Sequence, residues 1–115
     1  MYTFSYSEVL AETPQAARER ERIVLEHSIE LLQAAEEKGT SSRESVEAIY
    51  FIRRLWAFLI EDLAKVGNDL PNALRADLIS VGLWIMNEAE KVRLGVSSNF
   101  KGLIDVSRMV AVGLK

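Results

Sequence analysis

One histidine, His27, stands among seventeen aspartates and glutamates, and there is no cysteine. Acid–base or metal chemistry needs an imidazole with partners in defined roles. No second imidazole exists in the chain, and His27 lies near Arg22 and Glu26 on a helix, so it reads as a surface or rim histidine. The carboxylates cluster as Glu36–Glu37, Glu61–Asp62 and Glu88 with Glu90. A carboxylate-bridged metal bundle needs Glu-x-x-His on its helices, a spacing absent here, and solvated helix faces account for these acids. There is no glycine-rich phosphate loop and no nucleophile elbow. Without cysteine there are no disulfides, thiol nucleophiles or zinc–thiolate sites. The expectation is a protein that is not an enzyme and holds no cofactor or metal.

If the chemistry is not catalytic, it must lie in surfaces. The 115 residues suit one domain, 1–115, and 49% apolar content suffices for a core. A net charge of −3 argues against a nucleic-acid grip, which usually needs a basic face. The opening residues carry no basic segment followed by an apolar run, so no secretory signal is expected, and a cytoplasmic location fits.

Glycine and proline are few, which favours long regular elements. Gly39, Gly67 and Gly95 recur every 28 residues, each where a helix would end in a left-handed cap. The first helix is predicted over Pro14–Lys38, with Thr13 as cap and Pro14 in the first helical position. Its first turns offer the pairs Arg18–Glu21 and Glu19–Arg22. Its apolar face is Val24, Leu25, Ile29, Leu32 and Ala35. The second helix opens at Ser41 with Glu44 in a capping box and runs to about Val66. The third opens at Pro71 and carries Leu74, Leu78, Val81, Ile85, Ala89 and Val92. A shorter helix follows, from about Gly102 to Val112, with Leu103, Ile104, Val106, Met109 and Val110 on its apolar side. The fold class is therefore all-α: a small antiparallel bundle of three long helices plus a short C-terminal helix.

The stretch "EAIYFIRRLWAFLIEDL" (Glu47–Leu63) tests a membrane alternative. Its apolar runs are five and six residues, far short of the ~20 that span a bilayer, and the central Arg53 and Arg54 would be costly in lipid. On a helical wheel Glu47, Arg54, Glu61 and Lys65 form one narrow charged stripe. Val46, Ile49, Ile52, Trp56, Leu59, Ile60 and Leu63 lie opposite, with Phe51, Leu55 and Phe58 on a shoulder between. The apolar arc is wider than a surface helix needs. Arg54 can pair with Glu47 or Glu61; Arg53, at the arc's edge, must snorkel to solvent or find a carboxylate. Trp56 and Trp84 read as core anchors, and Gly82 as a close helix approach, with a tryptophan as the candidate neighbour and a hinge as the sharper alternative. In the arm 1–13, Tyr2, Phe4 and Tyr6 alternate, and "SYSEVLA" could begin a helical turn. Two readings stay open: a lid folded over the bundle end, or an aromatic arm that grips a partner.

The blocks "MYTFSYSEVLAETPQAARERER", "SSRESVEAIYFIRRLWAFLIEDLA", "NDLPNALRADLISVGLWIMNEAEKVR" and "SSNFKGLIDVSRMVAVGL" together resemble the FlaF family of flagellar biosynthesis regulators, over essentially the whole chain. The resemblance implies a small cytoplasmic protein needed for flagellin production and export. It implies post-transcriptional action, opposed by a second regulator, FlbT, and chaperone-like binding of flagellin. It carries over no catalytic or ligand residue. Surplus apolar surface on the second helix suits a groove for an amphipathic helix, and flagellin ends are such helices before assembly. The expected contacts are Phe51, Leu55 and Phe58, with Arg54 at the rim and Tyr2, Phe4 and Tyr6 as a second set. The expected partners are flagellin and, less directly, FlbT, with no direct RNA contact and no membrane. The alternative is a self-associating adaptor acting through FlbT, in which the same surface closes a homo-oligomer.

Overall fold

The computed structural model describes residues 14–113. Four helices follow one another: α1 (Pro14–Lys38), α2 (Arg43–Ala64), α3 (Asn72–Arg93) and α4 (Phe100–Gly113). No strand occurs among the described residues. The all-α bundle of three long helices and a short last one is as the periodicity predicts.

Each boundary has a local cause. At the end of α1, Gly39 takes φ 94°, and its N–H reaches Ala35 O at 2.8 Å, closing the left-handed cap that a residue with a Cβ would resist. The N-cap of α2 is Ser42 rather than Ser41: its Oγ accepts from Ser45 N at 3.0 Å. Glu44 therefore falls one position too early for a capping box. Helix α2 stops at Ala64, not Val66, because Asn68 Nδ2 donates to Asp62 O at 3.1 Å and Lys65 N tightens onto the same carbonyl. Gly67 has φ 98° but lies in the turn beyond that stop. Pro71 caps α3 from just outside it. Helix α4 starts two residues earlier than Gly102, because Asn99 Oδ1 accepts from Gly102 N at 3.0 Å in the manner of an N-cap.

Helix α2 packs on both α1 and α3; α4 packs on α1 and touches α3 lightly, and the backbones of α2 and α4 do not approach closely. The pairings run antiparallel. His27 meets Phe51 midway along the α1–α2 seam, while Ala17 and Asp62 share the lining of a groove at the end away from the connecting turn. Trp56 lies against Gly82, and Arg53 reaches Glu90 further along. One apolar cluster draws on all four helices, including Leu25, Leu32, Ile52, Trp56, Ile85, Ala89 and Leu103. Trp56 is its largest fully buried side chain, and truncation to alanine at such a site costs about 3–5 kcal/mol.

Several predicted core positions are not buried. Val46, Leu74 and Met109 are exposed, each within five residues of a helix end. Trp84, predicted as a core anchor, is 40% exposed, because Gly82 and Ile85 take the inner face of α3 and leave Trp84 on the outside. No described helix is long and apolar enough to cross a membrane.

Candidate functional site: a groove between the first two helices

The surplus apolar surface of α2 lies at its seam with α1. Phe51, Leu55 and Phe58 occupy positions i, i+4 and i+7, so they stack along one side of the helix. All three line a single open groove of about 650 Å³. Phe51 and Leu55 are half-buried, while Phe58 is 58% exposed, a large apolar side chain left facing solvent. The opposite wall comes from α1: Ala17 and Val24 supply apolar surface, and Arg20 and Glu21 supply charge. Tyr50 and Arg54 flank the α2 side, and Asp62 closes one end.

Arg54 stands on the rim, as its place on the wheel requires, but not in the predicted pairing with Glu47 or Glu61. Its guanidinium lies over the Tyr50 ring, 5.5 Å from the centroid, and Nη1 is 3.5 Å from the phenol oxygen. Tyr50 sits one turn back, and the ring face offers a cation–π contact on the order of 0.5–1 kcal/mol at an exposed site. Arg53 finds the carboxylate it needs: Nη1 is 3.2 Å from Glu90 Oε1 across the α2–α3 seam. Glu90 also accepts from Arg93 Nε at 2.9 Å, and the Arg93 contact above all holds its carboxyl below the ordinary range.

His27 is exposed and packs edge-on against Phe51, with ring centroids 5.1 Å apart, and its Nδ1 lies 3.5 Å from Glu30. It is a rim residue beside the groove. Arg18 bonds Asp69 in the α2–α3 turn rather than Glu21, and so ties the first turns of α1 to the bundle. Arg22 bonds Glu19 as predicted, and Glu26 as well at 2.8 Å. Glu21 is partly buried at the wall, and its carboxyl titrates above the usual range. Burial is the main cause, with the negative charges of Asp62 and Asp69 adding to it and Arg20 and Arg18 opposing.

No group of three or more metal-binding side chains gathers among the described residues. Tyr2, Phe4 and Tyr6 lie outside the described residues. The α1 wall was not among the predicted contacts. Its signal was Val24, which doubles the apolar position held by Leu25 and has no place in a single buried stripe.

The family model FlaF, described as flagellar protein FlaF, matches residues 2–114. The chain belongs to the FlaF family of flagellar proteins. No curated protein and no solved structure matches it. Within this FlaF-family chain, the match runs through every helix that builds the groove.

Proposed function

We propose that this FlaF-family chain is a chaperone-like binder of flagellin that acts in flagellum biosynthesis after transcription. The α1–α2 groove holds one amphipathic terminal helix of flagellin before export. The reading rests above all on one observation: the apolar shoulder of α2 lines an open groove, and the described helices leave Phe58 exposed and Phe51 and Leu55 only half-buried. A groove walled by apolar side chains and rimmed by charge suits a helix with one apolar face. A net charge of −3 leaves little basis for a grip on messenger RNA. Effects on translation then run through sequestered flagellin or through FlbT.

Flagellin pull-down with Phe58→Asp tests the reading. Phe58 is mostly exposed, so the variant folds, as circular dichroism will verify. Loss of a central anchor is expected to weaken retention by about 2 kcal/mol, roughly thirtyfold. Retention at the wild-type level removes the groove from the reading. A concentration-dependent dimer that Phe58→Asp dissolves would give the groove to a second copy, and salt-dependent binding to flagellin leader RNA would favour direct regulation.

A further inference from the structure

Among the described helices, α3 has one close neighbour: it packs on α2 and touches α4 lightly. Gly82, Ile85, Ala89 and Val92 form its inner face. On its outer face Ala73, Ala76, Ser80, Leu83 and Asn87 recur at alternating steps of three and four residues, and Leu94 follows Asn87 by seven; all six are exposed. That is the heptad spacing of a coiled-coil seam. One position in the series, Glu90, is already engaged by Arg53 and Arg93. Trp84 flanks the middle of the seam and is 40% exposed. No residue from Leu78 to Asn87 carries a charge.

This face is complementary to itself in one direction. Its first half carries the small side chains Ala73, Ala76 and Ser80, and its second half the large ones, Leu83, Trp84 and Leu94. An antiparallel second copy sets small against large, whereas a parallel copy sets large against large. Charge makes the same choice. Asp77 and Lys91 each lie seven residues from Trp84, so the three share one heptad position at the edge of the seam, where charges set partner orientation. Antiparallel pairing about Trp84 brings Asp77 of each copy to Lys91 of the other. Parallel pairing would set Asp77 on Asp77 and Lys91 on Lys91. Both side chains are exposed and available. Asp77 makes no ion pair among the described residues, and the Lys91 Nζ stands 4.0 Å from Glu88 Oε1.

We propose that the outer face of α3 joins two copies of this chain in a symmetric antiparallel dimer, centred on Trp84 and clamped by two Asp77–Lys91 pairs. A twofold contact of this kind uses one patch twice and closes on itself. The two helices overlap along about 19 residues, on the order of 28 Å. A single helix seam of that length belongs with the small, transient interfaces, below about 1,200 Å². The dimer therefore forms as concentration rises, and the dilute chain is a monomer with Trp84 open to solvent. No residue of α3 lines the α1–α2 groove. Each dimer thus carries two grooves, and the pairing stands whatever fills them.

Sedimentation equilibrium of the full chain between about 5 and about 500 μM reads the pairing. The mass is expected to rise from 12.9 kDa toward twice that value, with acrylamide quenching of Trp84 falling in step. Asp77→Lys turns both clamps repulsive and should weaken the dimer about tenfold. Combining Asp77→Lys with Lys91→Asp should restore it. Leu83→Asp should abolish it, and Phe58→Asp, in the groove, should leave it unchanged. All these positions are exposed, and circular dichroism verifies that each variant keeps its helices. A chain that stays monomeric throughout the range overturns the proposal. So does a dimer indifferent to Leu83→Asp or Asp77→Lys, which would place the contact elsewhere. A dimer that Asp77→Lys dissolves and the double exchange fails to restore overturns the antiparallel register.

Discussion

The six-membered ring of the Trp56 indole lies directly on the backbone of Gly82. A Cβ at that position would stand 2.5 Å from Cε3 and 2.8 Å from Cζ3, with Ile60 Cγ1 at 3.0 Å. This contact sets how closely α2 and α3 approach, and so fixes the side of α2 that faces away from the groove.

Gly82→Ala should therefore destabilise the bundle. Helix propensity favours alanine by about 1 kcal/mol, but forcing a methyl group against a buried ring costs about 1–3 kcal/mol. A net loss near 1 kcal/mol lowers the melting temperature by about 4–8 °C. In a Trp56→Leu background the same change should become neutral or favourable. Strict additivity of the two changes would refute the contact.

Ser42→Ala should lose about 1 kcal/mol through the missing cap of α2. Ser41→Ala and Glu44→Ala should stay close to wild type. Denaturant midpoints of the three variants separate the two possible caps.

The two tryptophans should answer differently to a quencher. Trp56 is 1% exposed and Trp84 40% exposed. Trp84→Phe should leave blue-shifted emission that acrylamide barely quenches. Trp56→Phe should leave red-shifted, readily quenched emission in whatever fraction stays folded. Equal quenching in the two variants would place Trp84 inside.

Glu21 gives the stability a pH dependence of definite sign. Its carboxyl titrates above the ordinary 4.5, chiefly through burial. The folded state then holds this proton more tightly than the unfolded one, so its contribution is complete below 4.5 and is lost as pH rises through the folded value. Glu21→Gln should melt higher than wild type near neutral pH, and the gap should close toward pH 4.5. A gap that stays constant across the titration would show that Glu21 does not titrate differently on folding.

Much of this fold was legible because its signals are local. The limits of α1 were set by Pro14 and Gly39, and the inner faces of α2 and α3 by periods ending in Leu63 and Val92. What was not legible depended on neighbours. Ser41 and Ser42 are equivalent as letters, and only the direction of the turn from Gly39 chooses between them. Asn68 stops α2 by reaching back to Asp62, a contact six residues long that no helical period encodes. Trp84 looked like core because size suggests burial, yet Gly82 had already claimed the inner face for a ring from another helix. At the groove, Phe51, Leu55 and Phe58 could be read from the width of the apolar arc. The α1 wall could not, since Ala17 and Arg20 acquire a role only when α2 lies beside them.

Helix α2 meets α1 on one side and α3 on another, and turns a third apolar surface to the groove. Little of its circumference is left over. Sequence drift should therefore be slowest there, where a change at Ile52 or Trp56 disturbs the core, one at Arg53 the link to Glu90, and one at Phe58 the groove. The outer face of α3, around Leu83 and Asn87, is exposed and packs on no described helix core, so the fold should tolerate change there more readily.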